Sequence, residues 1–156
     1  MKNEATGQAG RPLRVLVVDD NVQHVVTTRL LLQHAGFEVS IALRGREVFA
    51  EMGKFKPDAL LLDIGLPELT GYEIARELRI AHPDLLIVAI TAYGTQVDKL
   101  LASMAGFDHH LTKPYDPNAL VALLERHALK PAQGAPRTAP PPEPGDTTKK
   151  DGPAGS

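Results

Sequence analysis

The sequence predicts an α/β fold: a five-stranded parallel sheet with helices on both faces. Two observations carry that prediction. Between residues 12 and 130, short apolar runs alternate with segments of helical periodicity, five of each. Several of the runs are nearly continuous, which marks strands buried on both sides, as crossover helices bury a parallel sheet.

Leu13–Val18 is the first apolar run. Val22, Val25, Val26 and Leu30 then fall on one helical face, and Gly36 provides the stop. Val39 and Ile41 form a short alternating strand, and Val48, Phe49 and Met52 a short helix ending near Gly53. The third strand is Ala59–Leu62. Thr70 and Glu73 follow with capping-box spacing ahead of Ile74, Ala75 and Leu78. Leu85–Ile90 is the fourth strand. Val97, Leu100, Leu101 and Met104 make an apolar helical stripe closed by Gly106. His109–Thr112 supplies the fifth strand. Asp116 and Pro117 then have the cap-then-first-turn order that starts a helix through Leu120, Leu123 and Leu124.

Outside this region the pattern stops. Residues 131–156 contain no Leu, Ile, Val or Phe and are rich in Pro, Gly and Thr. Such a segment cannot bury enough apolar surface to offset the entropy of ordering it. It reads as a disordered tail, locally extended at Pro140, Pro141 and Pro142. Residues 1–11 read as a flexible N-terminal tail, leaving one domain over 12–130 in a chain of 156 residues.

Composition excludes several function classes. With no cysteine, disulfide frameworks and thiolate metal sites are absent. A formal net charge of −2 argues against direct nucleic-acid binding, which needs clustered Lys and Arg. No apolar run approaches the roughly 20 residues that span a bilayer, and the N-terminus lacks a signal-peptide block. A cytoplasmic protein without membrane attachment is the expectation.

Ligands of open α/β sheets sit beyond the carboxyl ends of the strands, so the residues at those ends indicate the chemistry. The first strand ends in Asp19-Asp20, the third in Asp63, the fourth in Thr91 and the fifth in Lys113-Pro114. Each has a bland reading: helix caps, a turn residue, a helix-entry hydroxyl, a solvated charge. Taken together they place three carboxylates, a hydroxyl and an ammonium at one rim. Two carboxylates about 4 Å apart repel by roughly 4 kcal/mol at an effective dielectric of 20. One lysine does not balance three of them, whereas a hard divalent cation does, and an all-oxygen donor set suits Mg²⁺. Such a site suits phosphoryl transfer, with one carboxylate as nucleophile. The pattern alone does not say which Asp attacks.

Four segments in this order resemble the receiver domain of two-component response regulators: VLVVDDN (Val15–Asn21), LLLDIGLPELTGYE (Leu60–Glu73), ITAYG (Ile90–Gly94) and HHLTKPYDP (His109–Pro117). The resemblance runs from about Arg14 to Leu129. It implies a flavodoxin-like, doubly wound sheet of order 2-1-3-4-5. It also implies that Asp63 is the phosphoacceptor and that Asp20 and Asp63 ligate Mg²⁺ with the Gly65 carbonyl, Asp19 acting mainly through water. Thr91 is then the residue that turns toward the phosphoryl group and Lys113 its ionic partner. The Lys113–Pro114 bond is expected to be cis, and Ala92 keeps the loop small near the site. Two positions depart from the common pattern. His110 stands where receivers often carry a Tyr or Phe rotameric switch, so a pH dependence could enter there. At the mouth of the site Gly65 offers no side chain, while Tyr93 is bulky.

A phosphorylated switch is therefore the leading function, with a histidine kinase or histidine phosphotransfer protein as donor. The output is an unknown protein or a phosphorylation-dependent homodimer, bound through the fourth helix, fifth strand and fifth helix. No helical pattern follows Leu129, so a DNA-binding unit is not expected after it. Three alternatives differ in class. One is the terminal receiver module of a hybrid histidine kinase, and another a receiver-shaped binding module that is never phosphorylated. The third is an aspartyl-phosphate hydrolase of the haloacid-dehalogenase type. That last reading suffers because Asp19 and Asp20 are adjacent rather than spaced as D-x-D.

Overall fold

The computed structural model describes residues 11–92 and 94–129. Five strands, β1 (Arg14–Val18), β2 (Glu38–Ala42), β3 (Ala59–Asp63), β4 (Leu86–Thr91) and β5 (His109–Thr112), alternate with five helices. These are α1 (Val22–His34), α2 (Glu47–Lys54), α3 (Gly71–Ala81), α4 (Gln96–Ala105) and α5 (Pro117–Ala128). All strand pairs are parallel, in the order β2-β1-β3-β4-β5. Leu16 lies beside Leu60, Leu62 beside Ala89, and Ile90 beside Leu111.

Side chains alternate across the sheet and create two cores. Leu16, Val18, Leu60, Leu62, Ile87 and Ala89 face α2, α3 and α4, where Val48, Ile74, Ala75 and Ala102 meet them. Val15, Val17, Leu61, Val88 and Ile90 face the other way, against Val25 and Leu32 of α1 and Leu120 and Leu124 of α5. Every residue of β3 and β4 is buried. Full burial of each large aliphatic side chain contributes about 1.5–3 kcal/mol, and this holds the strand ends in a fixed array.

The helix ends are set by local chemistry. Asn21 caps α1 by accepting from the His24 amide, and Gly36 leaves the helix at φ 103°. Thr70 and Glu73 form the expected capping box on α3, and Thr95 and Asp98 form a second one on α4. Asp116 caps α5 ahead of Pro117. Gly71 is required by space: a Cβ there would stand 2.7 Å from the Ile64 Cα. The start of α3 thus presses on the turn that follows Asp63.

Arg79 of α3 ties the far end of the sheet together. It donates to the carbonyls of Pro83, Leu85 and Gly106 and pairs with Asp108 at 2.6 Å. The same Asp108 oxygen accepts from the Ile87 amide at 2.9 Å.

Two helical faces differ from the sequence expectation. In α1 the inward residues are Val25, Thr28 and Leu32, whereas Val22 and Leu30 are exposed. The apolar stripe of α4 points to solvent: Val97, Leu100, Leu101 and Met104 are 64%, 59%, 45% and 73% exposed. Only Ala102 and Ala105 of that helix are buried. Periodicity reports that apolar residues share a face, not which face the sheet takes; here two alanines let the helix lie close to the sheet and turn its larger residues outward. The proposed tails over 1–10 and 131–156 lie outside the described residues. Arg11, the last residue assigned to the N-terminal tail, pairs with Asp58 through its two terminal guanidinium nitrogens at 2.8 and 3.0 Å.

Candidate functional site

The chain leaves β1 through Asp19 and Asp20, and β3 ends on Asp63. Because β1 and β3 are neighbours in register, their carboxyl ends stand side by side. Asp19 and Asp63 are buried and Asp20 is exposed. One carboxylate oxygen from each of the three lies within 4.8 Å of the others. Across from them Lys113, just beyond β5, places Nζ 3.3 Å from Asp19 Oδ2 and 3.5 Å from Asp63 Oδ2.

Backbone donors aim the two buried carboxylates. The Asn21 amide donates to Asp19 Oδ1 at 2.9 Å, and the Gly65 amide donates to Asp63 Oδ1 at 2.9 Å. Burial raises the Asp63 pKa above the usual carboxylate value, and Asp19 pushes it the same way against the lowering effects of Gly65 and Lys113. Burial works against the Lys113 ammonium, but Asp63 and Asp19 together hold its pKa above the ordinary lysine value. The cluster is thus a partly desolvated anionic site with an incomplete counter-charge.

The other residues singled out from the sequence lie at differing distances from this centre. Thr91, the last residue of β4, is buried at 4% exposure, and its carbonyl accepts from the Lys113 amide at 2.7 Å. The Lys113–Pro114 bond is cis. Ala92 is exposed at the start of the loop after β4; Tyr93 lies outside the described residues. His110 is not at the acidic centre but earlier on β5, beside Ala89.

Two features were missed from sequence. His24 sets Nδ1 3.4 Å from Asp19 Oδ2; its place in the first turn of α1, which begins two residues after Asp20, was the available signal. Gly94 packs so closely on Thr112 that a Cβ would collide with the threonine hydroxyl. Nothing in a lone glycine announces that contact.

The donor set fits a hard divalent cation: three carboxylate oxygens converge, and among the described residues Lys113 is the cationic side chain paired with them, with the His24 ring at the edge.

Comparison with known proteins agrees with this geometry. The family model described as the response regulator receiver domain matches residues 15–125. The chain belongs to this family. The receiver is 36% identical over 108 residues to the transcriptional regulatory protein CreB of Escherichia coli K12, covering 69% of this chain and 47% of CreB. It is 37% identical over 115 residues to the response regulator MprA of Mycolicibacterium vanbaalenii, covering 74% and 48%. It is 35% identical over 120 residues to the alkaline phosphatase synthesis transcriptional regulatory protein PhoP of Bacillus subtilis, covering 74% and 50%. The receiver thus spans about half the length of the curated relatives it matches. Among solved structures it is similar to the chemotaxis protein CheY4 of Vibrio cholerae, with a TM-score of 0.69 at 30% identity, covering 73% of this chain and 97% of that one. A CheY-like receiver domain protein of Methanospirillum hungatei gives 0.68 at 27% identity, covering 74% and 95%. These relatives are response regulators rather than kinases, which disfavours the hybrid-kinase reading. The fold order predicted from the resemblance is the order observed.

Proposed function

We propose that this receiver accepts a phosphoryl group on Asp63 from a histidine kinase or histidine phosphotransfer protein and acts as a cytoplasmic signalling switch. The observation that carries the proposal is the convergence of Asp19, Asp20 and Asp63 within 4.8 Å, faced by Lys113. Asp63 is the candidate nucleophile because it ends the central strand, is buried, and has one oxygen fixed by the Gly65 amide. Its other oxygen attacks phosphorus as the bond to the donor nitrogen breaks, leaving an acyl phosphate and a free imidazole.

Asp20 and Asp63, with the Gly65 carbonyl, would hold Mg²⁺, and Asp19 would act through water. Bound there, Mg²⁺ supplies the charge neutralisation that one lysine lacks. Lys113 moves from the carboxylates to the new phosphoryl oxygens, and the Thr91 hydroxyl donates to another. Phosphorylation adds about −1.5 to −2 charge, rewarding the conformer with both groups turned inward and shifting the population toward it. A groove of about 790 Å³ runs from this rim past Gln23, His24, Thr28 and Tyr115. It leaves room for a donor side chain to approach.

The output surface is assigned to α4, β5 and α5, with the exposed α4 stripe as its apolar part. An output protein or a second copy of the receiver would cover it. Among the described residues no helix is long and apolar enough to cross a membrane. In this reading the domain is regulatory, contributing only to its own phosphorylation and dephosphorylation.

The test is incubation with Mg²⁺ and a small phosphodonor, followed by intact mass. One added phosphoryl group is expected, absent in Asp63→Asn. Catalytic turnover of a phosphate ester would instead favour the hydrolase reading.

A further inference from the structure

His110 occupies an unusual position under α4. Its strand neighbour is Ala89, and Thr91 pairs with Thr112 in the same register. Ala89 faces the core that includes Ala102 and Ala105 of α4, so His110, Thr91 and Thr112 share that face. Both ring nitrogens of His110 are buried and have no hydrogen-bond partner. A neutral imidazole carries one donor and one acceptor, and here the ring has no partner beyond its own backbone. Its strand neighbour Ala89 is small, and burial of the ring nitrogens disfavours the charged form.

The charges around the ring oppose one another, and the cation outweighs the carboxylate. Lys99 of α4 repels it, and Asp98 of α4 attracts it. The Asp98 carboxylate is already engaged, accepting from the Thr95 amide at 3.2 Å and the Thr95 hydroxyl at 2.7 Å. From β4 the neighbour is the uncharged Ala89, and His109 points to the opposite face. Burial first and Lys99 second lower the His110 pKa below the ordinary imidazole value.

α4 is lightly anchored, burying only two alanines. At its N-terminal approach the loop touches the sheet where Gly94 meets Thr112, two residues from His110.

We propose that His110 is a proton-sensitive latch for α4: the neutral ring packs beneath the helix, and the protonated ring must leave, displacing the N-terminal half of α4 from the sheet. The latch stands on this packing; its effect on signalling rests on the phosphorylated switch proposed above. The sign follows from linkage. The latched form binds its proton less tightly than the released form, so latching is complete above the ordinary imidazole pKa of about 6.5 and is lost as pH falls through the lowered one. Since Thr91 lies on the same face, a ring that leaves also withdraws support from the inward threonine. Acid therefore opposes phosphorylation.

The test is NMR of the full, unphosphorylated chain from about pH 8 to about pH 5, following the His110 ring and the α4 amides. The expected result is that the ring titrates below a reference peptide and that the amides of Val97–Lys99 follow the same curve. His110→Phe should abolish that α4 transition. Stationary α4 amides while His110 titrates, or a transition that persists in His110→Phe, overturns the latch. Beryllofluoride, a phosphoryl mimic, provides a second arm. Its affinity for the wild type should fall relative to His110→Phe by up to about tenfold per pH unit, the limit for one proton. Parallel profiles in the two proteins overturn the link to the site. Failure of both proteins to take beryllofluoride at any pH rejects the phosphorylated switch and leaves the latch to the NMR result.

Discussion

Lys113 holds its ammonium 3.5 Å from the carboxylate of Asp63, across a sheet in which their strands are separated by β4. The pair exists because two strands end at one rim, 50 residues apart in sequence. At this distance, and with Asp19 closer still at 3.3 Å, Lys113 is bound to the acidic cluster without neutralising it. Removing it should therefore expose how much of the site depends on a single fixed cation.

Lys113→Met is expected to slow phosphorylation by a small phosphodonor by roughly 100-fold, the usual effect of losing one preorganised charge on a transferring group. The fold should survive, since added Mg²⁺ can take over part of the counter-charge. Phosphorylation time courses by intact mass, with circular dichroism as the control for folding, decide this. A wild-type rate in the variant would remove Lys113 from the chemistry.

Asp63 carries a stability prediction of definite sign. Its pKa is raised in the folded protein, by burial above all. The folded state therefore holds this proton more tightly than the unfolded chain, and the stability it contributes is lost as pH rises through the folded pKa. At neutral pH the ionised group is a net cost. Asp63→Asn should raise the urea midpoint at pH 7, in metal-free buffer, by the equivalent of on the order of 1 kcal/mol. Saturating Mg²⁺ should stabilise the wild type by about 2.7 kcal/mol at 100 times its Kd, and the variant by much less. Equal Mg²⁺ shifts in the two proteins would place the ion elsewhere.

The contrast between α3 and α4 shows what sequence can and cannot carry. Thr70 and Glu73 marked the start of α3, and Ile74, Ala75 and Leu78 are indeed its buried face. Asp19, Asp63, Thr91 and Lys113 were legible because each ends or immediately follows a strand, and parallel strands bring their carboxyl ends to one rim. α4 was legible as a helix but not in its rotation. Its apolar stripe has the same periodicity whether it meets the core or a partner, and only packing reveals that Ala102 and Ala105 face inward. In α1 the buried Thr28 likewise broke the apolar rule, its hydroxyl lying 3.5 Å from that of Tyr115. The contacts of Gly94 with Thr112 and of Arg79 with Asp108 join residues far apart in the chain, and no single-sequence pattern encodes them.

Arg79 and Asp108 make the structural counterpart to the acidic site. The guanidinium is satisfied by three carbonyls and one carboxylate, and Asp108 also caps the Ile87 amide. Arg79→Met removes the side-chain donor from those carbonyls and leaves the half-buried Asp108 carboxylate without its guanidinium partner. A loss of about 2–3 kcal/mol is expected by urea unfolding, with phosphorylation of the folded fraction unchanged. Arg79→Lys should recover little, since one ammonium cannot span the same acceptors.

The outward stripe of α4 yields the most discriminating prediction for output. Val97, Leu100, Leu101 and Met104 recur at i, i+3, i+4 and i+7 on the solvent side, the spacing of a helix prepared to meet another surface. Their exposure means that polar replacement removes little core packing. Leu100→Glu and Met104→Glu should each change stability by less than about 0.5 kcal/mol, and phosphorylation of Asp63 should proceed at the wild-type rate. What they should abolish is association. If a second receiver covers the stripe, sedimentation of the beryllofluoride-loaded wild type will show a dimer and the double variant a monomer. If an output protein covers it instead, both remain monomeric, and the double variant loses that partner while keeping its phosphoryl group. A double variant that unfolds would mean that the stripe belongs to the core, contrary to the observed rotation of α4.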